Sequence, residues 1–386
     1  MHIRQREQKG IKMLAPSDKA AFTAVSLFSG AGGMDVGMKN AGFSILMAND
    51  IDPDACATYR KNHGPHIIEG SVHDVLPLLD RLGEIDLMFG GPPCQGFSVA
   101  GKMDPNDERS KLMFTFFDAV RRLKPKAFVC ENVKAFAALE KWSDVRCEIM
   151  RKIEPSYITK MVVLNAKEFG VPQNRERMFI IGIDRDRFTG SQEDFDQIIF
   201  EGLNNQRSEA VTIGEIIRNL GRPGTPGNTR TCAAKVTFCK NPVMRKSPYA
   251  GMMFNGAGRP LSAKGCSSTL PASMGGNKTP IVDDAEIFDG KRSFVEQYHA
   301  RLTKSSAASQ GKVPERLRRL TVDECLAIQT FPADYVLCGP RSAHYKQIGN
   351  AVPCKLAEVV GRVARDAIER VVAGEVSFWN QAVAAE

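Results

Sequence analysis

No stretch of this 386-residue sequence approaches the roughly 18 consecutive apolar residues that a membrane-spanning helix needs, so no membrane span is expected. The first residues carry Arg4, Arg6, Lys9 and Lys12 without an apolar run after them. That is not the pattern of a secretory signal, and residues 1–19 read as a short flexible arm. The ten cysteines never fall as Cys-x-x-Cys and the six histidines never as His-Glu-x-x-His. No metal site is therefore expected, and the thiols read as free in a reducing cytosol. There is no G-x-G-x-x-G turn, which argues against a dinucleotide cofactor, and no internal repeat.

What is present is ordinary in bulk and unusual in detail. At 43% hydrophobic and 25% charged residues, the chain has the composition of a globular protein with room for two lobes. The net charge of +8 is unevenly placed: Arg230 to Leu320 hold 16 lysines or arginines against 6 acids. Such an excess fits a surface that meets a polyanion, and charge alone does not distinguish it from a solvated basic face.

The first half alternates apolar runs with loops rich in chemistry. Thr23–Phe28 runs into Ser29-Gly30-Ala31-Gly32-Gly33, and Phe43–Ala48 into Asn49-Asp50-Ile51-Asp52. Ile85–Phe89 leads to Gly90-Gly91-Pro92-Pro93-Cys94-Gln95-Gly96-Phe97-Ser98, and Ala127–Cys130 to Glu131-Asn132-Val133. Tyr157–Leu164 and Arg177–Ile183 read as an antiparallel pair. Ser110–Leu123 has apolar residues at helical spacing and Pro125 beyond its end. Strands alternating with helices predict an α/β fold, a mostly parallel sheet with helices on both faces, whose ligands bind beyond the carboxyl ends of the strands. The glycine loop, Asp50, Cys94 and Glu131 would gather there.

Each loop has a chemical reading. Glycines let a ligand approach the backbone closely, and an acid 20 residues after Gly30 suits ribose hydroxyls, so Gly30 and Asp50 together predict a nucleoside-bearing cofactor. Cys94, on a loop stiffened by two prolines just past a strand, is presented as a nucleophile. Glu131 at a strand end is either a surface acid or a shielded carboxyl able to donate a proton, with Asn132 expected to fix its position. Arg175 and Arg177, two apart, would share one side of an extended segment and clamp an anion or carbonyl oxygen. Gln347-Ile348-Gly349-Asn350-Ala351-Val352-Pro353 leads into a last helix, Val352–Ala373.

Taken in order, these segments resemble the C5-cytosine DNA methyltransferases of bacterial type. The Pro-Cys loop, Glu131-Asn132-Val133, and Gln173-x-Arg175-x-Arg177 match that family's catalytic motifs. Phe28–Gly33 matches its first cofactor loop, Gln347–Pro353 its last motif, and Arg319-Leu320-Thr321, Glu324, Gln329 and Phe331-Pro332 the one before. The resemblance runs from about residue 23 to 365.

It implies a Rossmann-like S-adenosylmethionine-dependent methyltransferase domain, residues 20–190 plus 335–386, with a smaller irregular, partly β target-recognition domain over 191–334. Phe28, Gly30, Ala31, Gly32 and Gly33 would line the cofactor pocket, Asp50 would hold the ribose and Ile51 the adenine, and Pro93, Leu112, Asn350 and Ala351 would complete it. The residues aligned with the adenine-amine contact are Ser71 and Val72, where the family usually has Asp before an aliphatic residue. Serine accepts a hydrogen bond through a shorter, neutral contact, and Asp74 is a candidate substitute.

Catalysis would fall to Cys94 as nucleophile, Glu131 at N3 and N4 of cytosine, Arg177 at O2, and Arg175 orienting the site. Ser98, Gln173, Thr269, Leu270, Asn277 and Lys278 are the candidate DNA contacts, and the target base must leave the duplex. The expected partner is double-stranded DNA, bound by a monomer in the bacterial cytoplasm or nucleoid, either beside a cognate restriction endonuclease acting on the same site without stable binding or as an orphan modification enzyme. A tRNA-modifying relative would carry Cys-Phe-Thr in the second lobe, which is absent here. A non-catalytic regulator would lack the catalytic residues, and a small-molecule methyltransferase would not need the basic region.

Overall fold

In the first half of the chain, strands and helices alternate as the apolar pattern predicts. The computed structural model describes residues 22–93, 108–305 and 308–372. Cys94 and Ser98 lie outside the described residues. Along the chain come β1 (Phe22–Leu27), α1 (Gly33–Asn40), β2 (Phe43–Asp50), α2 (Pro53–His63), β3 (Ile67–Glu69), α3 (Val72–Leu79), β4 (Leu87–Gly90), α4 (Glu108–Leu123) and β5 (Ala127–Val133). Then follow α5 (Lys134–Ala138), α6 (Ser143–Ile153), β6 (Tyr157–Asn165), β7 (Gln173–Asn174) and β8 (Glu176–Asp184).

Seven of these strands form one sheet in the order β3-β2-β1-β4-β5-β8-β6. The first five are parallel, while β8 runs antiparallel to both β5 and β6. Side chains alternate across a strand, so both faces are apolar. Ala24, Leu87 and Val129 pack under α1 and α13 (Cys354–Val372). Val25, Met88 and Phe128 pack against α3, α4 and α6 on the other face. A sheet buried on both sides by helices is what near-continuous apolar strands require.

The order reverses between β1 and β4: β2 and β3 lie to one side of β1, and β4 and β5 to the other. In such sheets the crevice at the reversal is where ligands bind. The register sets Leu27 opposite Gly90 and Gly90 opposite Cys130. Phe28 and Gly91 therefore leave the sheet side by side next to Glu131, which continues β5 opposite Phe179 of β8. Gly90 admits no side chain, because a Cβ there would stand 2.3 Å from the Leu27 carbonyl oxygen.

The rest of the chain supplies α7 (Gln192–Asn205), α8 (Ile213–Leu220), β9 (Phe238–Val243), β10 (Met252–Phe254), β11 (Ser267–Ser268), β12 (Ile281–Asp283), α9 (Asp284–Asp289), α10 (Phe294–Lys304), β13 (Leu317–Arg319), α11 (Val322–Ile328) and α12 (Arg341–Asn350). Only two-stranded ladders occur here among the described residues: β9 with β10, β12 with β13, and β11 with β7. The last pair ties residue 267 to Gln173 and residue 268 to Asn174. α7, which a boundary at residue 190 would assign to the second lobe, buries Phe195, Ile198, Ile199 and Leu203 in the same core as the sheet and α13.

Candidate active site

The crevice at the carboxyl edge is walled by four segments. The first is the glycine loop. Ser29 N–H donates to the Asn49 carbonyl at 2.9 Å, Gly32 N–H closes a turn onto the Ser29 carbonyl at 2.9 Å, and Gly30 N–H donates to Asp50 Oδ2 at 2.7 Å. Phe28 leaves β1 with φ of +56°, and Gly30 and Gly32 are also left-handed, at +55° and +83°. A Cβ at Gly30 would meet nothing within 4 Å. At Gly33 it would come within 3.0 Å of Ala351 Cβ, Phe331 Cζ and the Val352 carbonyl, so this glycine lets the final motif close on α1. Ala31 is buried.

Asp50 ends β2. Its Oδ1 accepts from Asp52 N–H at 2.8 Å, so each oxygen is held by one backbone donor and keeps a lone pair for a ligand. Burial raises its pKa, opposed by those N–H groups. Ile51 beside it is 72% exposed, an apolar side chain presented to whatever lies against Asp50.

Ser71 is placed differently from expectation. It is the N-cap of α3: Oγ accepts from His73 N–H at 3.3 Å and from the backbone of Asp74, while Asp74 Oδ2 accepts from Ser71 N–H at 3.2 Å. The serine lone pairs expected to receive an adenine amine are thus committed to the helix terminus, as is one oxygen, Oδ2, of its candidate substitute Asp74. Val72 is buried in the α3–α4 core, and Leu112 packs against the same core.

The third wall is the proline loop beside Glu131. Arg177 Nε donates to Glu131 Oε1 at 2.9 Å, and their side chains are only 14% and 12% exposed. Burial pushes the Glu131 pKa up, while the positive charges of Arg177 and Arg175 pull it down. The alternative of an ordinary surface acid is excluded by that burial. Gly91 abuts the carboxylate, since a Cβ there would lie 2.9 Å from Glu131 Oε2. Asn132 does not fix Glu131, as its sequence position had led us to expect. Its Nδ2 donates to the Pro92 carbonyl at 3.2 Å and its Oδ1 accepts from Val133 N–H at 2.9 Å. It anchors the loop two residues before Cys94, and Pro93 is the last described residue of that loop.

The fourth wall is a knot of buried polar groups. Arg175, 1% exposed, donates from Nη1 to the Leu270 carbonyl at 3.2 Å, and from Nη2 to the Gly349 and Ala351 carbonyls at 3.0 and 2.9 Å. It is a positioning residue: its guanidinium ties its own strand segment to the Leu270 and the Gly349–Ala351 main chain, while its charge still acts on Glu131. Gln173 and Leu270, read as DNA contacts, are fully buried. Gln173 Nε2 donates to Gln329 Oε1 at 2.9 Å and its Oε1 accepts from Leu270 N–H at 3.1 Å. With both ends of the amide engaged inside the protein and no exposed surface, this side chain does not reach a base edge. Gln329 Nε2 in turn donates to the Ile348 carbonyl at 2.6 Å. Thr269, Asn277 and Lys278 are exposed, as is Asn350 at the end of α12. Sequence reasoning did not single out Tyr335 or His63, which lie directly behind the glycine loop. Nothing in the linear pattern marks them, since Tyr335 stands 304 residues from its partner Ala31.

Comparison with known proteins agrees with this arrangement. The family described as C-5 cytosine-specific DNA methylase matches residues 22–365. The Type II methyltransferase M1.HphI of Haemophilus parahaemolyticus is 32% identical over 356 residues, covering 88% of this chain and 86% of its own. M.MthTI of Methanothermobacter thermautotrophicus is 30% identical over 351 residues, covering 90% and 98%. Among solved structures, the Entamoeba histolytica methyltransferase EhMeth superposes with a TM-score of 0.63 at 17% identity, covering 91% of this chain and 99% of its own. That likeness concerns the fold alone. With the family matched over nearly the whole chain, this protein belongs to the C-5 cytosine-specific DNA methylases and is a DNA cytosine methyltransferase.

Proposed function

We propose that the enzyme moves a methyl group from S-adenosylmethionine to C5 of a cytosine turned out of a short specific duplex sequence, through a bond between Cys94 and C6 of the base. The observation that carries this reading is the shielded Glu131–Arg177 pair, set against Gly91 at the sheet reversal.

The crevice suits a nucleoside cofactor. Gly30 leaves open space, Asp50 offers two buried oxygens to vicinal hydroxyls, and the exposed Ile51 gives an apolar face for a purine. S-adenosylmethionine, when bound, supplies a methyl group that transfers as a cation. The hydroxyl oxygen of Ser71 already caps α3, so the amine of the cofactor's adenine would find no carboxylate acceptor at this position.

The chain's own residues prepare the base. C5 of cytosine is a poor nucleophile, and a thiolate bond at C6 places an electron pair on C5 as an enamine. Charge that builds on the ring is relieved if Glu131, whose pKa burial raises against the pull of the two arginines, gives a proton to N3 while Arg177 holds O2. After C5 has taken the methyl, its proton leaves to a base, the C6–S bond breaks and the thiolate is regenerated. The carboxylate regains its proton from N3. Stacked neighbours block attack on C6 within a duplex, so the base must be extruded at about a few kcal/mol. The positive excess between Arg230 and Leu320 offsets this through phosphate contacts.

We further assign residues 206–334 to a target-recognition lobe, beginning after α7 because that helix shares the sheet's core. Thr269, Asn277 and Lys278 are its exposed candidates for reading DNA. The Type II names of the relatives support a role beside a restriction endonuclease of the same specificity. A monomer acting on DNA in the cytoplasm accords with this reading.

Expression of the chain in a host lacking cytosine methylation tests it. Mapping of plasmid DNA should find 5-methylcytosine in one short motif, and none with Cys94→Ala. Methyl groups on adenine, on cytosine N4 or only on tRNA would contradict the proposal.

A further inference from the structure

Behind the glycine loop, on the side away from the crevice, lies a file of buried aromatic hydroxyls and imidazoles. Tyr335 Oη donates to the Ala31 carbonyl. A carbonyl only accepts, so the single hydroxyl hydrogen is used there. His63 Nε2, 2.9 Å from the same hydroxyl, must then be the donor to its oxygen. The imidazole is suited to this, because burial pushes its pKa down to about 3 and leaves it one proton, on Nε2. Nδ1 has no hydrogen-bond partner among the described residues, as expected of the bare nitrogen.

The same pattern recurs one layer deeper. Tyr59 Oη donates to Asp35 Oδ1 at 2.9 Å and lies 3.1 Å from His66 Nε2, and the rings of Tyr59 and His63 stack at 4.5 Å. Packing reinforces the contact. Tyr335 leans on Phe331 at 4.7 Å between ring centres, and Phe331 Cζ is one of the atoms that crowd the Cβ position of Gly33. A Cβ on Gly32 would fall 2.4 Å from His63 Nε2.

We infer that Tyr335 and His63 are positioning residues for the cofactor, fixing the Ala31–Gly32 peptide from behind so that the glycine loop is already shaped to receive S-adenosylmethionine. The inference rests on the cofactor reading above. Around the left-handed Gly32 at φ +83°, the N–H is held by the Ser29 carbonyl and the carbonyl by Val36 N–H at the start of α1. The Ala31 carbonyl between them is held by the tyrosine hydroxyl. A loop ordered before binding loses less conformational freedom on binding, so the pair should act on cofactor affinity and leave chemistry on the base alone.

Calorimetric titration of S-adenosylhomocysteine into the full chain, beside steady-state kinetics, tests the idea. Tyr335→Phe keeps the ring and removes the hydroxyl. It should weaken S-adenosylhomocysteine binding and raise KM for S-adenosylmethionine about tenfold, the worth of one such hydrogen bond. kcat, KM for DNA and the melting temperature should stay close to wild type. His63→Gln, which retains an N–H donor, should bind nearly as wild type, whereas His63→Leu should match Tyr335→Phe. Wild-type binding by Tyr335→Phe would overturn the inference while leaving the cofactor assignment intact. A parallel fall in kcat, DNA affinity and melting temperature would overturn it too, by showing a general structural role. Failure of the wild-type chain itself to bind S-adenosylhomocysteine would remove the cofactor reading and this inference with it.

Discussion

Glu131→Gln is expected to lower kcat by about 10²–10⁴-fold, the usual worth of a positioned proton donor, with DNA affinity kept within a few-fold. Glutamine has the shape of the acid and can donate a hydrogen bond to N3, but it cannot release a proton to it. The pH dependence separates this from a loss of packing. Burial raises the Glu131 pKa, and the guanidinium 2.9 Å away limits the rise. The wild-type reaction needs a proton on Glu131 and none on Cys94, whose ordinary thiol pKa is about 8.5. Its rate should therefore be level between the two pKa values, falling below the lower and above the higher. In the variant only the thiolate requirement remains, so the residual rate should climb with pH up to the thiol's own pKa and then stay level. A variant within tenfold of wild type, or one with an unchanged profile, would contradict the role given to Glu131.

Arg175→Met should be the most destabilising single change in the site, by about 3–5 kcal/mol, since each buried carbonyl left without its donor costs about 1–3 kcal/mol. The methionine fills much of the volume but leaves the Leu270 and Gly349 carbonyls without the donor that now reaches them, and Ala351 without one of its two. Arg175→Lys should recover little, since a single ammonium cannot reproduce a planar fork reaching three carbonyls. The measurement is denaturant unfolding, read as a lower midpoint at an unchanged slope. A midpoint equal to wild type would show that the segments after β11 and α12 hold their places without the guanidinium. The expectation is also a statement about coupling. Leu270 lies beside exposed Thr269 in the region proposed to read DNA, while Gly349 and Ala351 belong to the motif that packs on Gly33. One buried side chain joins the recognition region to the cofactor loop.

The contrast between these two residues shows what a linear sequence discloses. Glu131 was legible because a short apolar run stops at it beside the carboxyl edge of the parallel strands, although β5 itself continues two residues further, paired with β8. The same logic located the glycine loop and Asp50 at the carboxyl edge of the sheet, whereas the order reversal between β1 and β4 is visible only in the structure. Arg175 and Gln173 were legible as a motif but not as a location. Alternation puts Arg175 and Arg177 on one side of an extended segment, yet the partners of Arg175 come from residues 95, 174 and 176 positions away. Burial of a long polar side chain depends on what closes over it, and here that is a loop whose own pattern is too irregular to place. Asn132 illustrates the same limit at shorter range, because its amide turns toward the neighbouring strand's loop at Pro92 rather than along its own strand. Ser71 was read as a ligand group where local chemistry makes it a helix cap: Ser-x-x-Asp before an apolar run is a capping signal.

The most direct test is to offer the enzyme duplex DNA carrying 5-fluorocytosine at the methylated position, together with S-adenosylmethionine. Fluorine cannot leave C5 as a proton does, so elimination of the thiol is blocked once the methyl group has arrived. The account predicts a denaturation-resistant one-to-one complex, with the modified base mapped by peptide mass to Cys94 and no adduct in Cys94→Ala. An adduct on any other cysteine, or normal release of fluorinated DNA without a covalent species, would contradict it.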